Sequence, residues 1–233
     1  MSTLSTKKEL KPMDFNNSGK FYQKTRWIYD FLDRRSQPTS IKDYLFRENK
    51  FLFANIKKKS TIIDFGCGYG RHLRLLSSNI KMGVGIDVDK RIIFESRKYL
   101  SNCKNVITFT EDGVQTNFET SYFDYAICMT NTFGNLNNKK IPVLLEMKRV
   151  VNDNAQIIIS VHSPKSIQDK IQWYPKTGLE IVRFDKRYIY TNKGLKSEHF
   201  TKGSLKALFN KVKLKSKIID LSPISYICIL SRV

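Results

Sequence analysis

Between residues 61 and 162 the chain repeats one arrangement: a short apolar run, a turn, then a stretch with apolar positions at helical spacing. The apolar runs fall at 61–65, 82–86, 106–109, 123–129 and 155–161. Helical patterns follow the first turn around Leu73 and Leu76, occupy about 89–101, and return over 141–151. Strands alternating with helices predict a parallel, doubly wound α/β sheet. Before this core, residues 1–20 are polar and read as a lead-in. Residues 21–35 place Phe21, Tyr22, Trp27, Ile28, Tyr29 and Phe31 at helical spacing. After a break at Gln37-Pro38-Thr39, Ser40 is placed to cap a second helix carrying Ile41, Tyr44, Leu45, Phe51 and Leu52.

Beyond Pro164 the pattern changes. Two β-prone stretches, 179–184 and 187–191, flank Asp185-Lys186, which predicts a β-hairpin inserted at about 178–192. Thr201 is placed to cap a helix with Leu205, Leu208 and Phe209, and the segments 217–221 and 226–230 pair as antiparallel strands. The reading is one domain over 21–233. It comprises N-terminal helices (21–56), a ligand-binding half (61–162), the hairpin, and a C-terminal helix and strand pair (201–233).

A length of 233 residues suits one sizeable core. With 41% hydrophobic and 27% charged residues the chain does not have the composition of a disordered segment. No apolar run reaches the ~18 residues of a membrane span, and the polar start shows no signal peptide. Cys67, Cys103, Cys128 and Cys228 are scattered without a C-x-x-C pair. They read as reduced thiols of a cytoplasmic protein, with no metal site expected. The net charge of +20 invites an anionic partner such as nucleic acid. Its distribution tempers that. Residues 61–160 carry 12 Lys+Arg against 10 Asp+Glu, while 161–233 carry 15 against 5. Lys (29) far exceeds Arg (12), which fits solvated surface lysines as well as phosphate contacts.

The strongest chemical signal is Asp64-Phe65-Gly66-Cys67-Gly68-Tyr69-Gly70 at the end of the first strand. A glycine-rich turn there lets backbone approach a nucleotide in the crevice at the strand ends. The spacing is G-x-G-x-G, with Arg71 where a dinucleotide fingerprint has its last glycine. That, with the acidic Asp64, argues against a pyrophosphate on the helix N-terminus. Asp87 ends the second strand, where a carboxylate can accept both ribose hydroxyls of an adenosine. Glu111-Asp112-Gly113 follows the third strand. An acid there can accept an adenine amino group, and of the two adjoining acids Asp112 is favoured.

Taken together, residues 62–70, Gly85-Ile86-Asp87 and Glu111-Asp112-Gly113 resemble the class I S-adenosylmethionine-dependent methyltransferases, as do residues 123–128 and 147–151. The resemblance covers roughly 60–162 by motif. Asn152-Asp153-Asn154 replaces that family's usual Pro-Gly-Gly turn. It implies a Rossmann-like, doubly wound seven-stranded sheet, mostly parallel with one antiparallel strand. It also implies S-adenosyl-L-methionine held by Asp64, Gly66, Cys67, Gly68, Gly70, Asp87, Val88, Glu111, Asp112, Gly113 and Met129, with Tyr29 closing over it.

The following segment, Met129 to Leu136, resembles the Gly-Asn-Ser-Phe-type loop of glycine and other small-amine N-methyltransferases, with Thr130 in place of the glycine. Asn-Pro-Pro-Tyr, used by enzymes that methylate exocyclic amines of bases, is absent. The resemblance therefore points to a small-molecule acceptor, with an amine nitrogen favoured; an RNA methyltransferase using the basic flanks is the alternative. Asn131, His162 and Tyr22 are the acceptor-pocket candidates. His72 and His199 read as packing residues.

Overall fold

The computed structural model describes Phe21 and residues 35–233. The expected lead-in, most of the helix over 21–35, and both Tyr22 and Tyr29 lie outside the described residues. The first described helix, α1 (Thr39–Asn55), has Pro38 rather than Ser40 at its N-cap. Its buried stripe is Ile41, Tyr44, Glu48 and Leu52.

Seven strands form the main sheet: β1 (Thr61–Phe65), β2 (Met82–Asp87), β3 (Val106–Thr110), β4 (Phe123–Cys128), β5 (Val151–His162), β9 (Leu214–Ser222) and β10 (Ser225–Arg232). Their order is β3-β2-β1-β4-β5-β10-β9. The first five are parallel, and β10 is the one antiparallel strand, between β5 and β9. The expected architecture is present.

Apolar runs are required because the sheet is covered on both faces. On one side Ile63, Ala126, Ile157 and Cys228 pack in one cluster with Phe133 of α4 (Thr132–Asn135), α5 (Lys140–Val150) and α7 (Lys202–Lys211). On the other, their neighbours Ile62, Ile127, Ile158 and Ile227 pack against Leu52 of α1 and Leu76 of α2 (Arg71–Leu76). Side α3 (Lys90–Tyr99) is capped by the Asp89 carboxylate, which accepts from Arg91 N at 2.9 Å. Its Ser96 hydroxyl meets that of Thr108 on β3 at 2.7 Å.

Two details differ from the sequence reading. Residues 152–154 do not form a separate turn. They loop out within β5, where the pairing passes from Phe123↔Val151 to Tyr125↔Gln156, and Asn154 N donates to Asn152 Oδ1 at 3.1 Å. The inserted hairpin, in turn, is a three-stranded antiparallel sheet. To β6 (Ile181–Phe184) and β7 (Tyr188–Thr191) it adds β8 (Lys196–Glu198). Through Ile189 and Leu195 this sheet packs on a third apolar cluster that includes Phe21, Ile41, Tyr44, Trp173 and Tyr174. Trp173 ends α6 (Ile167–Trp173). Among the described residues, no helix is long and apolar enough to cross a membrane.

Candidate active site

The carboxyl ends of β1, β2, β4 and β5 open onto one deep cleft. Its floor is the glycine turn. Gly66 N and Cys67 N both donate to Ile86 O, at 2.8 and 3.0 Å, which fastens the turn to β2. Gly66 has φ +73°, and a Cβ there would run into the Thr132 side chain. Gly68 has φ +56°, and a Cβ there would meet nothing within 4 Å. The first glycine is needed for packing and backbone, the second for backbone, and above the second the space is open to a ligand.

Asp87 closes this end. Its Oδ2 accepts from Gly68 N and its Oδ1 from Asp89 N, each at 3.0 Å. Burial pushes its carboxyl up to about 6, outweighing the backbone N–H groups of Asp89 and Gly68 that favour the charge; the nearby carboxylates of Asp89 and Asp64 add to the rise. Further along, Glu111 Oε2 is buried without a hydrogen-bond partner. Asp112 lies beside it and pairs with Lys139 Nζ at 2.6 Å. Gly66, Cys67, Gly68, Asp87, Val88, Glu111, Asp112, Gly113 and Met129 all line the cleft. Asp64 and Gly70 do not. Asp64 is buried behind the turn, 3.8 Å from His72 Nδ1, and Gly70 is the left-handed N-cap of α2.

Beneath the cleft lies an ionic centre that sequence reasoning missed. Glu48 of α1 is fully buried and accepts from Tyr44 Oη (2.9 Å), Thr130 N (2.7 Å) and the Ser160 hydroxyl through Oε1. Through Oε2 it meets Arg71 Nη2 (2.8 Å), His72 Nε2 (2.9 Å) and Thr130 Oγ1 (2.9 Å). Burial alone would disfavour its charge, but His72, Arg71 and the Ser160 hydroxyl hold the carboxyl well below the usual range. The centre ties α1 to the ends of β4 and β5. A signal for it existed: Glu48 stands on the apolar stripe 41-44-48-52. His72, read as a packing residue, both belongs to this centre and lines the cleft.

The far end of the cleft is walled by Asn131, His162, Lys170 and Tyr174. Asn131 (φ +56°) spends its side chain on the protein itself: Oδ1 accepts from His162 N at 2.8 Å, and Nδ2 donates to Ser197 Oγ at 3.3 Å. His162 is 1% exposed, packs edge-on against Tyr44, and has no hydrogen-bond partner at either ring nitrogen. Burial first, then Lys170 and His199, push its pKa well below the ordinary imidazole value, so it is neutral. His199 is buried outside the lining, with Nδ1 3.2 Å from Arg187 O. Among the described residues, no cluster of His, Cys, Asp or Glu is placed to hold a metal.

Residues 62–154 match the family model of a methyltransferase domain. An uncharacterized protein of Methanocaldococcus jannaschii is 26% identical over 160 residues, 69% of this chain and 56% of that protein. The chain thus spans little more than half the length of that relative. A solved protein of Pyrococcus horikoshii superposes with a TM-score of 0.69 at 18% identity, over 88% of this chain and 99% of that one. The 1,6-didemethyltoxoflavin-N1-methyltransferase of Burkholderia thailandensis, solved with its substrate and S-adenosylhomocysteine, gives 0.66 at 11% identity, over 98% and 94%. The matched methyltransferase domain lies on this sheet and carries this glycine turn, so the chain is similar to the class I S-adenosylmethionine-dependent methyltransferases. The cofactor of that family is S-adenosylmethionine. The site suits it: open space lies over Gly68, a carboxylate stands at Asp87, and a buried carboxylate oxygen of Glu111 awaits a donor.

Proposed function

We propose that this protein transfers the methyl group of S-adenosylmethionine to a small-molecule acceptor, at an amine nitrogen, by in-line displacement. When bound, the sulfonium supplies an already reactive methyl group. The chain's part is to bind, align and exclude water. In this reading Asp87 receives the ribose hydroxyls, and the Glu111–Asp112 pair receives the adenine amino group. Met129 and Val88 lie along the cofactor.

The observation that carries the small-molecule reading is the far wall of the cleft, built from side chains that are themselves buried: Asn131, His162, Lys170 and Tyr174. Such a wall suits a compact ligand. A neutral His162 with unengaged ring nitrogens can hydrogen-bond an amine and aim its lone pair, and Asn131 acts by fixing the His162 backbone. The amine assignment draws support from the Asn131 loop and from the N-methylating neighbour.

A second reading, RNA as acceptor, is favoured by one observation. On the small sheet Arg183 lies 4.1 Å from the Tyr190 ring centre, Lys196 4.4 Å from that of Tyr188, and Arg187 5.0 Å from Tyr188. Cations interleaved with aromatic rings are the material of a base-stacking surface. Incubation with labelled cofactor against pooled metabolites and against total RNA separates the two. The expected result is label in the metabolite fraction; label in RNA alone overturns the small-molecule reading. Calorimetric titration of the wild type should show cofactor binding, weakened by roughly tenfold or more in Asp87→Ala. Because an ionised carboxylate accepts both hydroxyls more strongly than a neutral carboxyl, affinity should also decline as pH falls below about 6, where Asp87 takes up a proton. A wild type that binds no cofactor would sink the assignment.

A further inference from the structure

Lys170 occupies the buried stripe of α6, where Ile167 and Trp173 fill the neighbouring positions. It is 1% exposed. Its Nζ donates to Ser197 Oγ at 3.1 Å, and among the described residues no carboxylate stands within ion-pair distance. An ammonium has three N–H donors, and a buried one without a counter-ion is costly. The carboxylates of the neighbourhood are already taken. Glu198 is held by Lys140 at 2.7 Å and by Arg187 at 2.7 Å, and Glu48 is held by Arg71 and His72.

Around Lys170 stand further polar and aromatic groups, of which His162 can also meet an anion. His162 presents two ring nitrogens without partners. His199 lies near enough for the Lys170 charge to depress its pKa, after burial itself. Tyr174 sets its ring 5.8 Å from Lys170 Nζ. Burial pushes Lys170 well below the ordinary lysine value, which is what a cation site without its anion shows. Lys170, His162 and Tyr174 all face the cleft.

We propose that this end of the cleft receives a carboxylate carried by the methyl acceptor, with Lys170 Nζ as its counter-ion and His162 beside it. The inference rests on the methyltransferase reading and narrows it: the acceptor bears both an amine and a carboxylate. A single lysine, with the nearby Arg187 already engaged by Glu198, suits one carboxylate charge better than a phosphate, which favours an arginine fork or several cations. Lys170 is thereby a specificity-determining residue. Ser197, which also receives Asn131 Nδ2, holds its ammonium in place.

The test is calorimetric binding of matched probes to protein saturated with S-adenosylhomocysteine: β-alanine against β-alaninamide, and 3-aminobenzoate against 3-aminobenzamide. In the wild type the carboxylates should bind about tenfold or more tightly than the amides, as expected for a charge-assisted hydrogen bond. Lys170→Met should bring each pair to within about threefold, with S-adenosylhomocysteine affinity changed by less than about twofold. Lys170→Arg, which keeps the charge, should retain part of the preference. Equal binding of acid and amide to the wild type overturns the proposal, as does an unchanged preference in Lys170→Met. The wild-type pairs decide the question even if Lys170→Met does not fold. If the wild type fails to bind S-adenosylhomocysteine, the methyltransferase reading itself is wrong and this inference falls with it.

Discussion

Glu48 shows how one side chain organises a site it does not line. Six donors converge on its two oxygens, drawn from α1, the start of α2 and the ends of β4 and β5. Replacing it by Gln removes the charge and leaves Arg71 and His72 without their anion. Loss of one partner from a buried ionic group costs about 3 kcal/mol, and chemical denaturation should show a loss of that order. Folding holds the Glu48 pKa below its unfolded value near 4.5. Its stabilisation is therefore complete above that pH and is lost progressively as the pH falls below it. Between about pH 5 and about pH 3 the wild type should lose melting temperature more steeply than Glu48→Gln. Parallel slopes would remove Glu48 from this role. At this scale the glycine turn and Asp87 were legible, because backbone geometry and strand-end position constrain residue type. Glu48 and Lys170 were not read, though both stand on otherwise apolar helical stripes. A charged residue at a core position is visible in sequence as a break in pattern, but its partners come from distant segments.

At the scale of elements, local chemistry decided what could be foreseen. Thr201 was read as a helix cap, and in the structure it makes a capping box: Thr201 Oγ1 accepts from Ser204 N at 3.1 Å, and Ser204 Oγ accepts from Thr201 N at 3.1 Å. Thr201→Ala should cost about 1 kcal/mol and lower the melting temperature by about 2–4 °C. Scanning calorimetry measures this, and an unchanged transition would mean that α7 is held by Leu205 and Phe209 alone. Strand β8 was not foreseen. It is three residues long, two of them charged, and it becomes a strand only because Tyr188 to Tyr190 of β7 offer it a pairing edge. Likewise the Asn152-Asp153-Asn154 stretch has turn composition, and it bulges out of β5 between the pairings Phe123↔Val151 and Tyr125↔Gln156 rather than ending the strand.

At the scale of the whole molecule, the division of labour follows the sheet. In the proposed function, the cofactor is held by groups from β1 to β3 and the loops after them, and the acceptor by the wall from β4, β5 and α6. The net charge of +20 belongs chiefly to the segments flanking that core. The seven-stranded order was legible because five parallel strands alternate with helices, whereas the contact of the small sheet with α1 and α6 depended on packing that no local pattern encodes.

The position of β10 carries a consequence for synthesis. Among the described strands it is the last in sequence, yet it lies inside the sheet, with β5 on one side and β9 on the other. A nascent chain emerges from the ribosome in sequence order, so β1 to β5 are available long before β10. Until then β5 presents an unpaired edge, a hazard for wrong pairing. Ser225 of β10 is the residue that pairs with His162. On the proposed function, the cofactor end should therefore assemble early in translation and the acceptor end last. In nascent chains arrested before residue 225, residues 61–130 should resist protease with cofactor present, while the segment around His162 stays cleavable until β10 has emerged. Equal protection of both segments before that point would contradict this order of assembly.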